Sequence, residues 1–304
     1  MIEVEDVSKR HGDRWAVREL SFTVRPGRVT GFLGPNGSGK SSTLRMVVGL
    51  DSPTSGRVLV EGRRYAEHPA PLTRVGALLE ARGVHAGRSA RAHLQALAAT
   101  HRFPRRRVEE VLELVGLTEV AHRRSGGFSL GMGQRLGIAA ALLGDPAAVL
   151  LDEPANGLDP DGIRWLRGLL RQLADEGRTV LVSSHLLGEM TGTADHVVAL
   201  GRGRLLADAP LPEVLASVAR PTVRVRTPRS RELRGLLHGP GVVVSCPAGD
   251  VLRVEGVSAE RVGDLARAHG LPVHELVAEQ PSLEEAFAAL TADVVEFDAG
   301  RVSR

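Results

Sequence analysis

The run Gly34-Pro35-Asn36-Gly37-Ser38-Gly39-Lys40-Ser41-Ser42 has the spacing G-x-x-x-x-G-K-[ST]. It follows the apolar run Val29–Leu33, which reads as a strand, and it opens a helix expected from Ser41 through Gly49. Strand, glycine loop and helix in that order are the context a phosphate-binding loop requires. Glycines let the backbone curl until several N–H groups point at one anion. In such a loop Lys40 reaches the β- and γ-phosphates of a nucleotide and the Ser41 hydroxyl holds Mg²⁺. The chain has only two lysines, Lys9 and Lys40, among 39 basic residues. Lysine persists where a compact ammonium fits a tight cradle and a planar guanidinium does not.

Outward from that loop, strands and helices alternate. Ile2–Val7 and Leu20–Val24 alternate like strands near a sheet edge, and Gly56–Val60 returns as another. Residues from about 86 to 144 turn helical in period, with His93-Leu94-Leu97-Ala98, then Val108-Val111-Leu112-Val115, then Leu136-Ala140-Leu143. Ala148–Leu151, Thr179–Ser183 and Val197–Leu200 read as short buried strands, and Gly162–Glu176 as an amphipathic helix. This predicts an α/β fold with a mainly parallel sheet covered on both faces. Beyond a short helix near 213–218 the pattern restarts as strand, helix, strand, strand, helix, strand, a βαββαβ order that fits a small ferredoxin-like α+β unit. A last helix is expected from Ser282, with Glu285 completing a capping box.

A chain of 304 residues exceeds one comfortable core, so two domains are expected, 1–218 and 219–304. The single cysteine, Cys246, excludes a disulfide framework and is expected in the core. No signal-peptide pattern opens the sequence, and no apolar run approaches the ~20 residues that span a bilayer. A reducing cytoplasm follows, with any membrane crossing left to another chain. The net charge is only +3. Its densest basic cluster, Arg102 with Arg105, Arg106 and Arg107, reads as a solvated helix start before a polyanion site.

A second cluster completes the first. Val149-Leu150-Leu151 ends in Asp152-Glu153. Successive side chains on a strand point to opposite faces, so adjacent acids take different tasks: Asp152 binding Mg²⁺ through water, Glu153 polarising the attacking water. Next come Asn156-Gly157-Leu158-Asp159-Pro160, then Ser184-His185 after a strand, while upstream lie Phe128-Ser129-Leu130-Gly131-Met132 and Gln134-Arg135.

This ordered set resembles the nucleotide-binding subunit of an ATP-binding-cassette (ABC) transporter, over about residues 1–218, with a helical subdomain at about 86–144. The Ser-Leu-Gly-Met signature and the stretch Pro281–Phe287 resemble single-cassette ATPases of bacterial drug and antibiotic exporters. The resemblance implies ATP and Mg²⁺ as ligands, a P-loop formed by Gly34, Pro35, Asn36, Gly37, Ser38, Gly39, Lys40, Ser41 and Ser42, a D-loop at Asp159, and a switch histidine at His185 near the γ-phosphate. It also implies that Ser129, Gly131 and Met132, at a helix N-terminus suited to an anion, close on ATP bound by a second copy of the chain. Glu80 stands where the family has a Mg²⁺-touching glutamine, and a carboxylate offers the same oxygen to a hard cation. His11 stands where the family places an aromatic on adenine, with Trp15 four residues away as a substitute. Leu130 replaces a signature glycine and Met132 a glutamine.

The implied function is ATP hydrolysis that powers export through a separate membrane permease, on the cytoplasmic face of the membrane, docked through residues 80–92. An ABC protein acting on nucleic acid or ribosomes is the alternative; it calls for coiled coils or two cassettes, neither of which the sequence holds, so no nucleic-acid partner is expected. An importer ATPase is a third reading, disfavoured by the signature and the tail. The residues from 219 onward are read as a regulatory or dimerisation domain.

Overall fold

The computed structural model describes residues 1–80, 83–184, 192–218, 222–239 and 241–279. Its contacts divide the chain into two compact units that part between Leu211 and Pro212. Among the described residues, no helix is long and apolar enough to cross a membrane.

The first unit holds two sheets. Strands β1 (Ile2–His11), β2 (Arg14–Val24) and β4 (Ser55–Val60) form an antiparallel sheet in the order β2-β1-β4. The second sheet has the order β5-β6-β7-β3-β8-β9. Its members are β3 (Arg28–Leu33), β5 (Val75–Leu78), β6 (Ala148–Asp152), β7 (Thr179–Ser184), β8 (His196–Gly201) and β9 (Arg204–Pro210). The first five in that order pair in parallel and β9 closes one edge antiparallel. Every residue of β7 and β8 is buried, as expected for strands covered on both faces. Phe22 and Phe32, with ring centroids 5.4 Å apart, join the sheets through one core with Leu44, Val47 and Leu150. Neither β5 nor β9 was expected from the sequence. Gly76 in β5 lies against the end of α4 (Leu130–Leu142), where a Cβ would collide with the Ala141 carbonyl.

The helical stretch contains α2 (Ala90–Thr100) and α3 (Arg105–Leu114) besides α4. Ser89 caps α2 by accepting the Ala92 N–H at 3.2 Å. Of the arginine cluster, Arg102, Arg105 and Arg106 are exposed as a solvated helix start would be, Arg106 pairing with Glu110 at 2.8 Å, while Arg107 packs inward and donates to the carbonyls of Leu142 and Leu143 at the end of α4, at 2.9 and 3.3 Å. Helix α5 (Pro160–Asp175) buries Leu166, Leu169, Leu170 and Leu173.

Register aligns the ends of three parallel strands. Leu33 pairs with Ser184, and Asp152 with Ser183. The loop leaving β3, the acids ending β6 and the end of β7 therefore sit side by side at the carboxyl edge of the sheet, where ligands of such folds bind. Helix α1 (Lys40–Val47) starts directly above.

Past α6 (Leu211–Val218), the second unit has strands β10 (Thr222–Arg226), β11 (Val243–Ala248), β12 (Val251–Glu255) and β13 (Glu275–Glu279), all antiparallel, in the order β11-β12-β10-β13. Helices α7 (Ser230–Leu236) and α8 (Ala259–Ala268) cover one face through Leu233 and Val262, which pack with Val223, Val225, Leu252 and Val254. This is the βαββαβ connectivity read from the sequence. Cys246 corrects the expectation of a core thiol: it is exposed, because β11 is an edge strand whose residues are mostly solvent-facing. The helix expected from Ser282 lies outside the described residues.

Candidate functional site

A cavity of about 450 Å³ opens at that carboxyl edge, lined by His11, Arg14, Trp15, Ala16, Asn36, Gly37, Gly39, Lys40, Ser41, Ser42 and Glu153. The loop beneath it is fixed by its own backbone. The Ser38 N–H donates to the Pro35 carbonyl at 3.1 Å, and the Gly203 N–H donates to the Ser38 carbonyl at 3.1 Å. Gly39 has φ +105°, and a Cβ there would stand 2.5 Å from the Ala16 carbonyl oxygen, so only glycine fits. Gly34 packs as tightly, against Ser38 and 2.8 Å from the Leu200 carbonyl oxygen.

Lys40 is buried, and its ammonium donates to the carbonyls of Gly34 at 2.5 Å and Pro35 at 3.4 Å. The Glu153 carboxylate lies 3.9 Å away. Burial pushes the Lys40 pKa below its ordinary value, while the charges of Glu153 and Asp152 pull it back. The ammonium is thus held in place but only partly neutralised, a position that favours an incoming anion.

The acids are organised by hydroxyls. Ser41 Oγ donates to Asp152 Oδ2 at 2.7 Å, joining the start of α1 to the end of β6. Ser183 Oγ donates to Asp152 Oδ1 and accepts the Glu153 N–H at 2.9 Å. Glu153 has φ +50°, a left-handed conformation unusual for a residue with a side chain. Its carbonyl accepts from Gln134 Nε2 at 3.0 Å and from the Asn156 N–H at 3.2 Å. Ser183 and Gln134 were not singled out as site residues. In the sequence Gln134 stands out only with the signature stretch; the partners of Ser183 and Gln134 lie 30 and 19 residues away, so no local pattern shows these contacts.

The signature segment stands apart from this cavity. Ser129 caps α4, its Oγ accepting the Met132 N–H at 3.2 Å. Leu130 is 49% exposed, and its side chain lies against Gly157, where a Cβ would collide with it. Gly131 faces the same loop, its Cβ direction 3.0 Å from the Gly157 carbonyl oxygen. Leu130 therefore covers its own chain's loop. Asp159 caps α5 by accepting the Gly162 N–H at 2.8 Å. A second hollow, of about 330 Å³, runs between Ser129, Leu130 and Phe128 on one side and Val84 and Ala86 on the other.

Of the remaining candidates, Glu80 is exposed just after β5 and does not line the cavity. His185 lies outside the described residues. His11 and Trp15 both line the cavity from the β1–β2 hairpin, in which Arg10 faces Trp15 and His11 faces Arg14. The guanidinium groups of Arg10 and Arg18 stand 5.7 and 5.4 Å from the Trp15 ring centroid. Ala16 also lines the cavity.

Residues 17–156 match the ABC transporter family, and residues 221–284 match a domain family of unknown function. The chain is 41% identical over 213 residues to the bacitracin transport ATP-binding protein BcrA of Bacillus licheniformis, covering 69% of this chain and 70% of that one. It is 33% identical over 297 residues to the uncharacterized ABC transporter ATP-binding protein YdbJ of Bacillus subtilis (strain 168), covering 96% of this chain and 95% of that one. The dimeric structure of a bacterial ABC transporter cassette is similar with a TM-score of 0.64 and 25% identity, over 69% of this chain and 99% of that one.

Proposed function

The chain belongs to the ABC transporter family of ATP-binding proteins, and on that premise we propose that two copies hydrolyse ATP between them to power export of an antibiotic or similar small molecule or peptide through a separate membrane subunit. The observation that carries the ATPase reading is the convergence of Lys40, Ser41 and Glu153 on one cavity, with Asp152 hydrogen-bonded to Ser41 beside them. Export of an antibiotic-like cargo is supported by the likeness to the bacitracin transport protein.

The donor set fits Mg²⁺. The Ser41 hydroxyl and Asp152 carboxylate are two hard oxygens in contact. Among the described residues no group of three or more His, Cys, Asp or Glu could hold a metal by itself. A hydroxyl and a carboxylate suit an ion that takes one or two protein oxygens and completes its shell from phosphates and water. When bound, it neutralises charge on the phosphate oxygens. The loop N–H groups and Lys40 bind the phosphates. Glu153, held beside Lys40, accepts a hydrogen bond from the water that attacks the γ-phosphorus and orients it in line. The base rests on the hairpin through His11 or Trp15. Ser129, Gly131 and Met132 of a second copy close over the γ-phosphate, so hydrolysis requires the pair.

Residues 80–92, of which Val84 and Ala86 line the second hollow, form the docking segment for the membrane subunit. Arg91 is already engaged by Glu109, at 2.9 Å through both oxygens, so exposed Arg88 is the better probe. The tagged chain should release phosphate from ATP and co-purify from membranes with a membrane-spanning protein, and Arg88→Glu should weaken that recovery while sparing ATP binding. Sedimentation with ribosomes instead would overturn the transport reading.

A further inference from the structure

Gln134 is 3% exposed, among the apolar side chains that α4 turns inward. A buried primary amide is costly unless bonded. Its Nε2 donates to the carbonyl of Glu153 at 3.0 Å. A carbonyl only accepts, so the amide nitrogen must face it, which fixes how the side chain is turned. Glu153 is a residue whose backbone needs holding, because its left-handed φ is disfavoured for any residue with a Cβ. Both ends of the residue are pinned. Its N–H is held by Ser183 Oγ, whose single proton is committed to Asp152, and its carbonyl by Gln134 and the Asn156 N–H.

We propose that Gln134 is a positioning residue for hydrolysis, tying the helix that begins at the signature segment to the backbone of the water-orienting carboxylate in the same chain. The proposal rests on the reading of Glu153 as that carboxylate. Ser129 lies five residues upstream on the same helix start, with Leu130 and Gly131 packed on Gly157. Helix α4 is thus fastened to the loop after β6 at both Glu153 and Gly157. A shift of α4, as when its N-terminus meets nucleotide held by the second copy, moves the Glu153 peptide and changes where its carboxylate points. Gln134 is buried and does not line the cavity, so it acts through the Glu153 peptide.

The test compares phosphate release and nucleotide binding for wild type, Gln134→Met, Gln134→Glu and Glu153→Gln. Methionine keeps the volume and removes the donor. Loss of one neutral hydrogen bond should lower kcat roughly five- to tenfold, with the KM for ATP and the formation of an ATP-bound dimer unchanged. Glutamate keeps the shape but turns an acceptor toward the carbonyl. Its kcat relative to wild type should rise as pH is lowered, because a protonated carboxyl restores the donor. A Gln134→Met enzyme with wild-type kcat, or one whose KM rises as much as its kcat falls, overturns the positioning role. If methionine prevents folding, a Gln134→Glu enzyme that still has wild-type kcat at alkaline pH, where its carboxyl is ionised, overturns it. Glu153→Gln reports separately on the underlying reading: if it turns over like wild type, Glu153 is not the water-orienting group, whatever the Gln134 variants do.

Discussion

Replacing Glu153 by glutamine should separate two effects of its carboxylate. Oε1 stands 3.9 Å from Lys40 Nζ, and the two side chains are only 21% and 6% exposed. At an effective dielectric of ~20, unit charges at that spacing attract by about 4 kcal/mol before relaxation. This attraction steadies the nucleotide-free protein. The same carboxylate repels the phosphate whose attacking water it holds: at roughly 6 Å, one bridging water away, and the same dielectric, by about 3 kcal/mol per unit charge before relaxation. Glutamine preserves the size of the side chain, and the bonds from Gln134 and to Ser183 involve only the backbone. The local geometry should therefore survive. ATP affinity should stay equal or tighten by up to about tenfold, while loss of the group that accepts the water's proton lowers turnover by ~10²–10⁴-fold. Titration calorimetry with Mg·ATP and a continuous phosphate assay give the two numbers. Turnover near wild type, or ATP binding that weakens markedly, would refute the assignment of Glu153 and the electrostatics above.

The other expectations are simpler. Lys40→Arg keeps the charge but cannot place a guanidinium between the Gly34 and Pro35 carbonyls, so ATP affinity should fall by about 100-fold or more; normal affinity by calorimetry would contradict the argument from fit. Because burial lowers the Lys40 pKa below 10.5, the cation is present at neutral pH and is lost as pH rises through the lowered value. ATP affinity should weaken in that alkaline window, and binding there should take up protons, since bound phosphate favours the charged form; calorimetry in buffers of different ionisation enthalpy reads this, and affinity flat up to pH 10.5 would contradict it. A fragment ending at Val218 should fold and bind ATP, as the division between Leu211 and Pro212 suggests; an unfolded circular dichroism spectrum would mean that the units share a core.

Legibility in the sequence followed locality. The run Gly34–Ser42 and the pair Asp152-Glu153 are each contiguous and each follows an apolar strand, so pattern alone marked them as candidates, and the fold sets Lys40, Ser41 and Glu153 around one cavity. Strand β5 escaped because Val75-Gly76-Ala77-Leu78 is four residues long and its glycine serves a close approach to α4. Strand β9 escaped because Arg204–Pro210, an edge strand of half-exposed residues, lacks clean alternation. The contacts that hold the acids were invisible for a different reason: Ser41 meets Asp152 across 111 residues and Gln134 meets Glu153 across 19, through register and helix packing. Leu130 shows the reverse case. The substitution was legible, but only the fold puts its side chain on Gly157 of the same chain.

The central claim is that two copies complete each other's sites. Lys40→Ala disables the phosphate loop of its own copy, and Ser129→Arg disables the segment that serves the other copy. Each variant alone should be inactive in the phosphate assay. Mixed in equal amounts, random pairing in a two-fold dimer leaves about a quarter of the sites intact, one per mixed dimer, so activity should return toward about a quarter of wild type. A mixture as inactive as its two components, or a Ser129→Arg protein with full activity on its own, would contradict the account.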